Sequence, residues 1–189
     1  MAHKPLDVLR RTIAIGTLGL ALPLLSWADT APKVKFVTSM GEFVVELNPQ
    51  KAPKTVDNFL QYVKSKHYDG TVFHRVINNF MVQGGGYTVA GNERPTRPPI
   101  ALEAQNGLRN DVGTIAMART QDPHSASAQF YVNVKNNDFL NARGPSDGYT
   151  VFGKVVSGMD VIHKIKLVPT GAGDVPTSPV IINSATQIQ

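Results

Sequence analysis

Residues 73–86, FHRVINNFMVQGGG, concentrate one guanidinium, one amide, a thioether and aromatic rings in two short apolar runs around a turn. Such a set is equipped to hold a small apolar ring against hydrogen-bond donors, so the segment reads as a site as well as a piece of core. Alternation along a strand puts Phe73, Arg75 and Ile77 on one face, and Met81 and Gln83 on one face of the following run. Loop length then decides what meets what. A two-residue loop of Asn78 and Asn79 pairs Ile77 with Phe80 and Arg75 with Val82, leaving Gln83 on the far side. A three-residue loop of Asn78, Asn79 and Phe80 pairs Ile77 with Met81 and sets Arg75 across from Gln83. Asparagine tolerates the left-handed backbone such a loop needs, and only this register gathers Arg75, Met81 and Gln83. The three-residue loop is therefore the expectation.

The rest of the chain alternates between short strands and punctuation. Phe43, Val45 and Leu47 alternate with Glu42, Val44 and Glu46 after a turn at Met40 and Gly41, which predicts a hairpin with one buried face. Val56, Phe59, Leu60 and Val63 fall at helical spacing behind Pro53, a residue suited to a first turn, and predict an amphipathic helix. Gly and Pro are dense over 84–99, which reads as largely loop. Strands resume over 114–118 and 129–134. In the second of these Phe130, Val132 and Val134 make a core face, while Gln129, Tyr131 and Asn133 make a polar and aromatic one. Residues 136–148 form a polar loop interrupted by the apolar pair Phe139 and Leu140. A strand over 149–156 leads to Ser157, read as the cap of a second helix carrying Met159, Ile162 and Ile165, and Val180, Ile181 and Ile182 form the last strand. With no repeat and no second domain, many short strands and two isolated helices predict a mainly β chain: an antiparallel β-barrel plugged by the helices, which leaves no sheet edge exposed.

Residues 1–28 read as an export signal peptide. Lys4, Arg10 and Arg11 give a positive start, 12–25 is apolar, and Ser26-Trp27-Ala28 offers small residues where a signal peptidase reads, predicting cleavage after Ala28. About 14 apolar residues fall short of the roughly 20 of a spanning helix. Arg10-Arg11 also permits a twin-arginine route. Without the leader, three basic residues and Asp7 go, and the net charge falls from +5 to +3. No basic run interleaved with aromatics remains, which argues against nucleic acid as a partner. The chain has no cysteine, so stability in an oxidising compartment rests on packing. Its five histidines lack paired metal spacing. Gly84-Gly85-Gly86 is not followed by the Lys of a phosphate loop, and Asp122, His124 and Ser125 are too close in sequence to build a hydrolase triad. His74 alternates with Arg75 onto the other face and reads as a satisfied structural histidine.

In order along the chain, Phe73-His74-Arg75-Val76, Phe80-Met81-Val82-Gln83-Gly84-Gly85, Met117-Ala118, Gln129-Phe130-Tyr131 and Val151-Phe152-Gly153-Lys154-Val155 resemble the blocks of the cyclophilin family of peptidyl-prolyl isomerases. The likeness runs from about Val34 to Ser184. Phe139-Leu140 and Tyr149 make it similar to the bacterial exported branch, where eukaryotic relatives more often carry Trp and His. The resemblance implies a closed eight-stranded antiparallel barrel with two capping helices and the substrate groove outside it. It implies that Arg75 is catalytic, that Phe80, Met81, Tyr131 and Leu140 line a proline pocket, and that Gln83 binds substrate backbone and orients Arg75. Ala118, Arg119, Gln129, Phe139 and Tyr149 complete the groove. Arg119 stands where the family usually has Asn, at a contact made mainly through main chain. No cofactor is implied. The implied partners are proline-containing unfolded or extended polypeptides in the bacterial periplasm, met by a monomer, with cyclosporin bound weakly because Phe139 lacks the indole donor. Two rival readings are a proline-binding chaperone using the same groove without turnover, and a lipocalin-like carrier with a barrel open inside.

Overall fold

The computed structural model describes Met1, 31–143 and 147–189, so the expected leader over 1–28, Met1 apart, and its cleavage point lie outside the described residues. The chain begins with the predicted hairpin: β1 (Lys33–Thr38) and β2 (Gly41–Leu47) pair with Phe36 opposite Phe43, whose rings stack at 4.7 Å. The turn residues are Ser39 and Met40, one position earlier than expected, because the Thr38 hydroxyl closes the turn by donating to the Gly41 carbonyl at 2.7 Å and accepting from the Met40 amide at 3.1 Å.

Helix α1 (Pro53–Lys64) follows, with Pro at its start. Its first amides are satisfied from a distance. The Glu103 carboxylate accepts from the Lys54 and Thr55 amides at 3.1 and 2.9 Å, and from the Thr55 hydroxyl at 2.7 Å. An anion at a helix N-terminus also complements the helix dipole, so this contact pins the 100s loop to α1.

Six further strands, β3 (Thr71–Ile77), β4 (Met81–Thr88), β5 (Thr114–Met117), β6 (Phe130–Asn133), β7 (Val151–Ser157) and β8 (Ile181–Gln187), complete a closed barrel in the order β1-β2-β7-β5-β6-β4-β3-β8, antiparallel throughout. A second helix, α2 (Met159–Ile165), follows β7. Ser157 does not cap it. Ser157 ends β7, and Gly158 stands at the cap with φ 78°, its carbonyl accepting from the Val161 amide at 3.0 Å. A Cβ at Gly158 would run into the Glu42 carbonyl oxygen, so only glycine fits this turn between strand and helix.

Val56, Phe59 and Val63 of α1 and Val161, Ile162 and Ile165 of α2 join the inward residues of the strands in one cluster. The interior is filled by rings: Phe59 lies 5.0–6.3 Å from Phe36, Tyr68, Phe130 and Phe152. A carrier needs a hollow barrel, and this one is packed.

The register of β3 on β4 is the one the three-residue loop requires: Ile77 opposite Met81, Val76 opposite Val82, Arg75 opposite Gln83. Asn79 has φ 67°, and the Phe80 amide closes the loop onto the Ile77 carbonyl at 3.0 Å. One expectation fails nearby. Phe73 does not share a face with Arg75 and Ile77, because pairing steps from Phe73–Gly84 to Arg75–Gln83 with His74 as the extra residue. This bulge turns Phe73 into the barrel with Val76 and leaves Arg75 outside. The segment 84–99 is largely loop, but β4 runs on through its first five residues to Thr88. Its glycines answer to close approach: a Cβ at Gly85 would lie 2.8 Å from the Tyr68 ring and 2.9 Å from Phe130, and one at Gly86 would lie 2.6 Å from Gln129.

Candidate functional site

On the outside of β3, β4, β5 and β6 the residues that alternate with the core gather into a second, smaller apolar cluster. Met81, Ala116, Tyr131, Leu140 and Val151 form it, with Ile77, Phe80, Leu108, Ala118 and Tyr149 packed at its edges. A cleft of about 290 Å³ opens over it, lined by Arg75, Phe80, Met81, Gln83, Ala118, Arg119, Tyr131, Leu140 and Tyr149. Nine of the eleven residues proposed from sequence therefore meet at one place. The other two stand just behind and beside it. Gln129 accepts a 3.0 Å hydrogen bond from the Gln83 amide, and Phe139, 70% exposed, stacks on Phe80 at 5.5 Å and extends the rim.

Each wall has its own support. Tyr131 is buried and donates its hydroxyl to Asn110 Oδ1 at 2.8 Å. Asn110 Oδ1 also accepts from Asn133 at 3.2 Å, while Asn137 donates to Asn133 Oδ1 at 2.7 Å and to the Phe80 carbonyl at 2.8 Å. Asn141 Oδ1 takes the Asn110 backbone amide at 2.7 Å, and the Asn110 side chain reaches the Leu140 carbonyl at 3.2 Å. Four buried asparagines thus tie the hairpin loop carrying Phe80, the strand carrying Tyr131 and the 3-10 turn Asp138–Leu140 into one unit. Burial, reinforced by Tyr149, pushes the Tyr131 phenol well above its ordinary value, so it stays a neutral donor. Tyr149 meets Tyr131 edge-on at 6.0 Å. The Arg119 guanidinium lies 4.5 Å over the Tyr149 ring and is braced by the Gly148 carbonyl at 3.0 Å and the Thr120 carbonyl at 2.8 Å. The side chain at 119 is thus part of the wall, where resemblance alone pointed to main chain.

Arg75 fronts the cleft, and its orientation comes from an unexpected direction. Resemblance assigns its orientation to Gln83, whose side-chain Nε2 donates to Gln129 while its Oε1, the atom a guanidinium would donate to, makes no hydrogen bond to Arg75 among the described residues. Among the described residues the partner of the guanidinium is Asp174, whose Oδ2 sits 3.5 Å from Nε. Asp174 ends the short 3-10 turn Ala172–Asp174 in the left-handed region, φ 62°, a conformation aspartate accepts more readily than most residues. Sequence reading missed it, although one signal was there: Asp174 is the sole charged residue of 167–189. The asparagine set was missed too, and its signal was six Asn in 106–141. His74, expected to be satisfied, has a buried Nδ1 without a hydrogen-bond partner among the described residues, and it packs edge-on to Tyr87 at 4.8 Å. Burial holds its pKa below the ordinary histidine value.

The site's chemistry follows from this inventory. Two guanidiniums border an apolar pocket, and among the described residues its lining contains neither carboxylate nor histidine. Such a cleft can hold a small ring and stabilise lone-pair density, but it has no group to take a proton.

The sequence model for cyclophilin type peptidyl-prolyl cis-trans isomerase matches residues 33–187. The chain is 57% identical over 159 residues to peptidyl-prolyl cis-trans isomerase cyp18 of Streptomyces antibioticus, covering 80% of this chain and 96% of that protein. It is 53% identical over 160 residues to peptidyl-prolyl cis-trans isomerase B of Escherichia coli K12, covering 81% and 98%. Among solved structures, a cyclophilin type isomerase of Cryptosporidium parvum, crystallised in the presence of the dipeptide Ala-Pro, superposes with a TM-score of 0.71 at 25% identity, covering 83% of this chain and 99% of that one.

Proposed function

The chain belongs to the cyclophilin-type peptidyl-prolyl cis-trans isomerases and is an isomerase acting on proline-containing peptides, and from that premise we propose that it works by Arg75 stabilising the twisted X-Pro bond in unfolded or extended segments of exported proteins. The observation that carries the reading is the register that pairs Arg75 with Gln83 at the mouth of an apolar cleft. An X-Pro bond rotates slowly because amide resonance gives its C–N bond double-bond character, with a barrier of roughly 18–20 kcal/mol. Twisting breaks that resonance and localises a lone pair on the proline nitrogen. A donor aimed at this nitrogen binds the twisted state better than either planar state, which is the preference catalysis requires. Arginine keeps its charge and its fork of donors at any working pH. With Nε held by Asp174, the terminal amino groups are the part left to face the substrate.

An acceleration of five orders of magnitude requires about 7 kcal/mol of preferential stabilisation. One charge-assisted hydrogen bond contributes about 1.5–3 kcal/mol. The remainder is assigned to the proline ring fixed against Phe80, Met81, Tyr131 and Leu140, and to backbone anchoring by Gln83, Gln129 and the main chain at Ala118 and Arg119, with Phe139 and Tyr149 closing the groove. The protein needs no cofactor for this. It acts as a monomer on its clients and assists their folding. Export fits the leader-like composition of 1–28, and the family match starts only at Lys33, leaving the leader outside it. The mature protein then begins after Ala28 in the bacterial periplasm, which the mass of the exported form tests directly. Phe139 offers a ring but no N–H, so cyclosporin is expected to inhibit weakly.

The test pairs two assays: isomerisation of a short X-Pro peptide, and proline-limited refolding of a client. Arg75→Ala is expected to slow both. Refolding assistance that survives Arg75→Ala while peptide turnover is lost would favour a proline-binding chaperone instead.

A further inference from the structure

Arg75 has a second cleft on its other side. This cleft, about 510 Å³, is larger than the first, and Arg75 belongs to the lining of both. Its walls are mainly apolar: Val72 and Tyr87 on the strands, Val89 just beyond β4, and Val175, Pro176 and Pro179 from the segment leading into β8, with His74, Thr88 and Thr177 the polar side chains besides Arg75. Among the described residues Arg75 is the one charged side chain in its lining, with its ion-pair partner Asp174 between the lining residues Gly173 and Val175. Val89 and Val175 remain 52% and 50% exposed, an apolar pair on either side of an open depression. The far wall is ordered before anything binds. Thr170 bridges to Pro176, the Thr177 amide donates to the Pro169 carbonyl at 2.9 Å, and the two prolines stiffen the backbone. The near wall is fixed by the bridge between Tyr87 and Glu93. A preformed apolar depression binds at low ordering cost.

We propose that this second cleft is a client subsite, which takes an apolar side chain of the same polypeptide whose proline occupies the first cleft. The inference rests on the isomerase reading of the first cleft and extends it to a substrate preference. Continuity selects the occupant: a chain leaving the proline pocket past the guanidinium of Arg75 enters this depression next. An extended chain advances about 3.3 Å per residue, so the side chain is supplied from roughly two to four residues away from the proline. Walls that are mainly apolar, with the Arg75 charge paired to Asp174, select aliphatic and aromatic side chains over charged ones. Those are the side chains an unfolded segment exposes and a folded surface hides, so the subsite favours clients still in need of folding. The clefts beside Lys154 and beside Gln61 do not include Arg75 in their linings and have no such continuity.

The test uses the mature full-length protein and two X-Pro peptide sets, one a short peptide and the other extended to either side with Leu or Ser at the second to fourth position. The expected result is a kcat/KM about three- to tenfold higher for Leu than for Ser at one of these positions, carried mainly by KM. In the double variant Val89→Ser, Val175→Ser that preference disappears while turnover of the short peptide is unchanged. Methyl NMR reads binding separately: Val89 and Val175 shift on titration with the Leu peptide and not with the Ser peptide. A Leu preference that survives in the double variant overturns the subsite, as do silent Val89 and Val175 methyls. Loss of short-peptide turnover in the wild type would instead strike the isomerase reading, and methyl shifts would still decide whether the cleft binds.

Discussion

Along β6, Phe130 and Val132 point into the barrel while Tyr131, between them, points into the cleft, and the two sides are held by different physics. Inside, aromatic rings meet at every angle from stacked to edge-on, and position is fixed by volume. Outside, the pocket wall is fixed by direction, through hydrogen bonds from buried asparagines to Tyr131, Phe80 and Leu140. Volume alone fixes a shape, whereas hydrogen bonds also fix where each donor aims. The cleft is thereby built on the outside of the strands whose inside supplies rigidity.

This contrast can be broken from the inside first. Phe59→Ala removes a ring that touches four others, and the expected cost is about 3–5 kcal/mol in urea unfolding. Kinetic constants of the fraction still folded should change little. Attack on the outer network gives the opposite pattern. Asn110→Ala leaves the Tyr131 hydroxyl and the Asn133 amide without their acceptor. The expected loss is about 1–3 kcal/mol of stability, together with a raised KM for X-Pro peptides. Equal kinetic damage from the two variants would erase the distinction between them.

The ion pair behind Arg75 provides a finer test. Asp174→Asn keeps the shape and removes the charge, and because both partners are part-exposed the coupling is about 0.2–1 kcal/mol. The expected outcome is a two- to fivefold fall in kcat/KM with unchanged thermal stability. The smallest effect separates fold from site by pH. Burial lowers the pKa of His67 and His74, so the unfolded chain binds their protons more readily than the folded one. Stability is therefore intact above the unfolded histidine value of about 6.5 and declines as pH falls from there through the lower folded values. Isomerase kcat/KM, resting on Arg75 and a Tyr131 phenol held neutral, should stay flat from pH 6 to 9.

The same contrast explains what could be read before folding. Strand period, the α1 stripe and the length of the Asn78-Asn79-Phe80 loop are local properties, and together they place Arg75 opposite Gln83. The His74 bulge was not legible, because it is decided by which of two adjacent side chains the barrel interior accepts. Gly84, Gly85 and Gly86 looked like loop for the same reason, since their need for close approach comes from Phe73, Tyr68, Phe130 and Gln129, distant in sequence or on another strand. Asp174 and Asn110 act on Arg75 and Tyr131 across about 100 and 20 residues of chain, so no spacing rule reveals them.

The central claim is that the outer cleft speeds rotation through Arg75 beyond what holding the proline provides. Exchange spectroscopy on an X-Pro peptide in the presence of Arg75→Ala, with peptide affinity measured alongside, tests it most directly. The prediction is an affinity within a few-fold of wild type and an on-enzyme exchange rate lower by about 10- to 150-fold. An exchange rate equal to that of the wild type, with the peptide still bound, would contradict it.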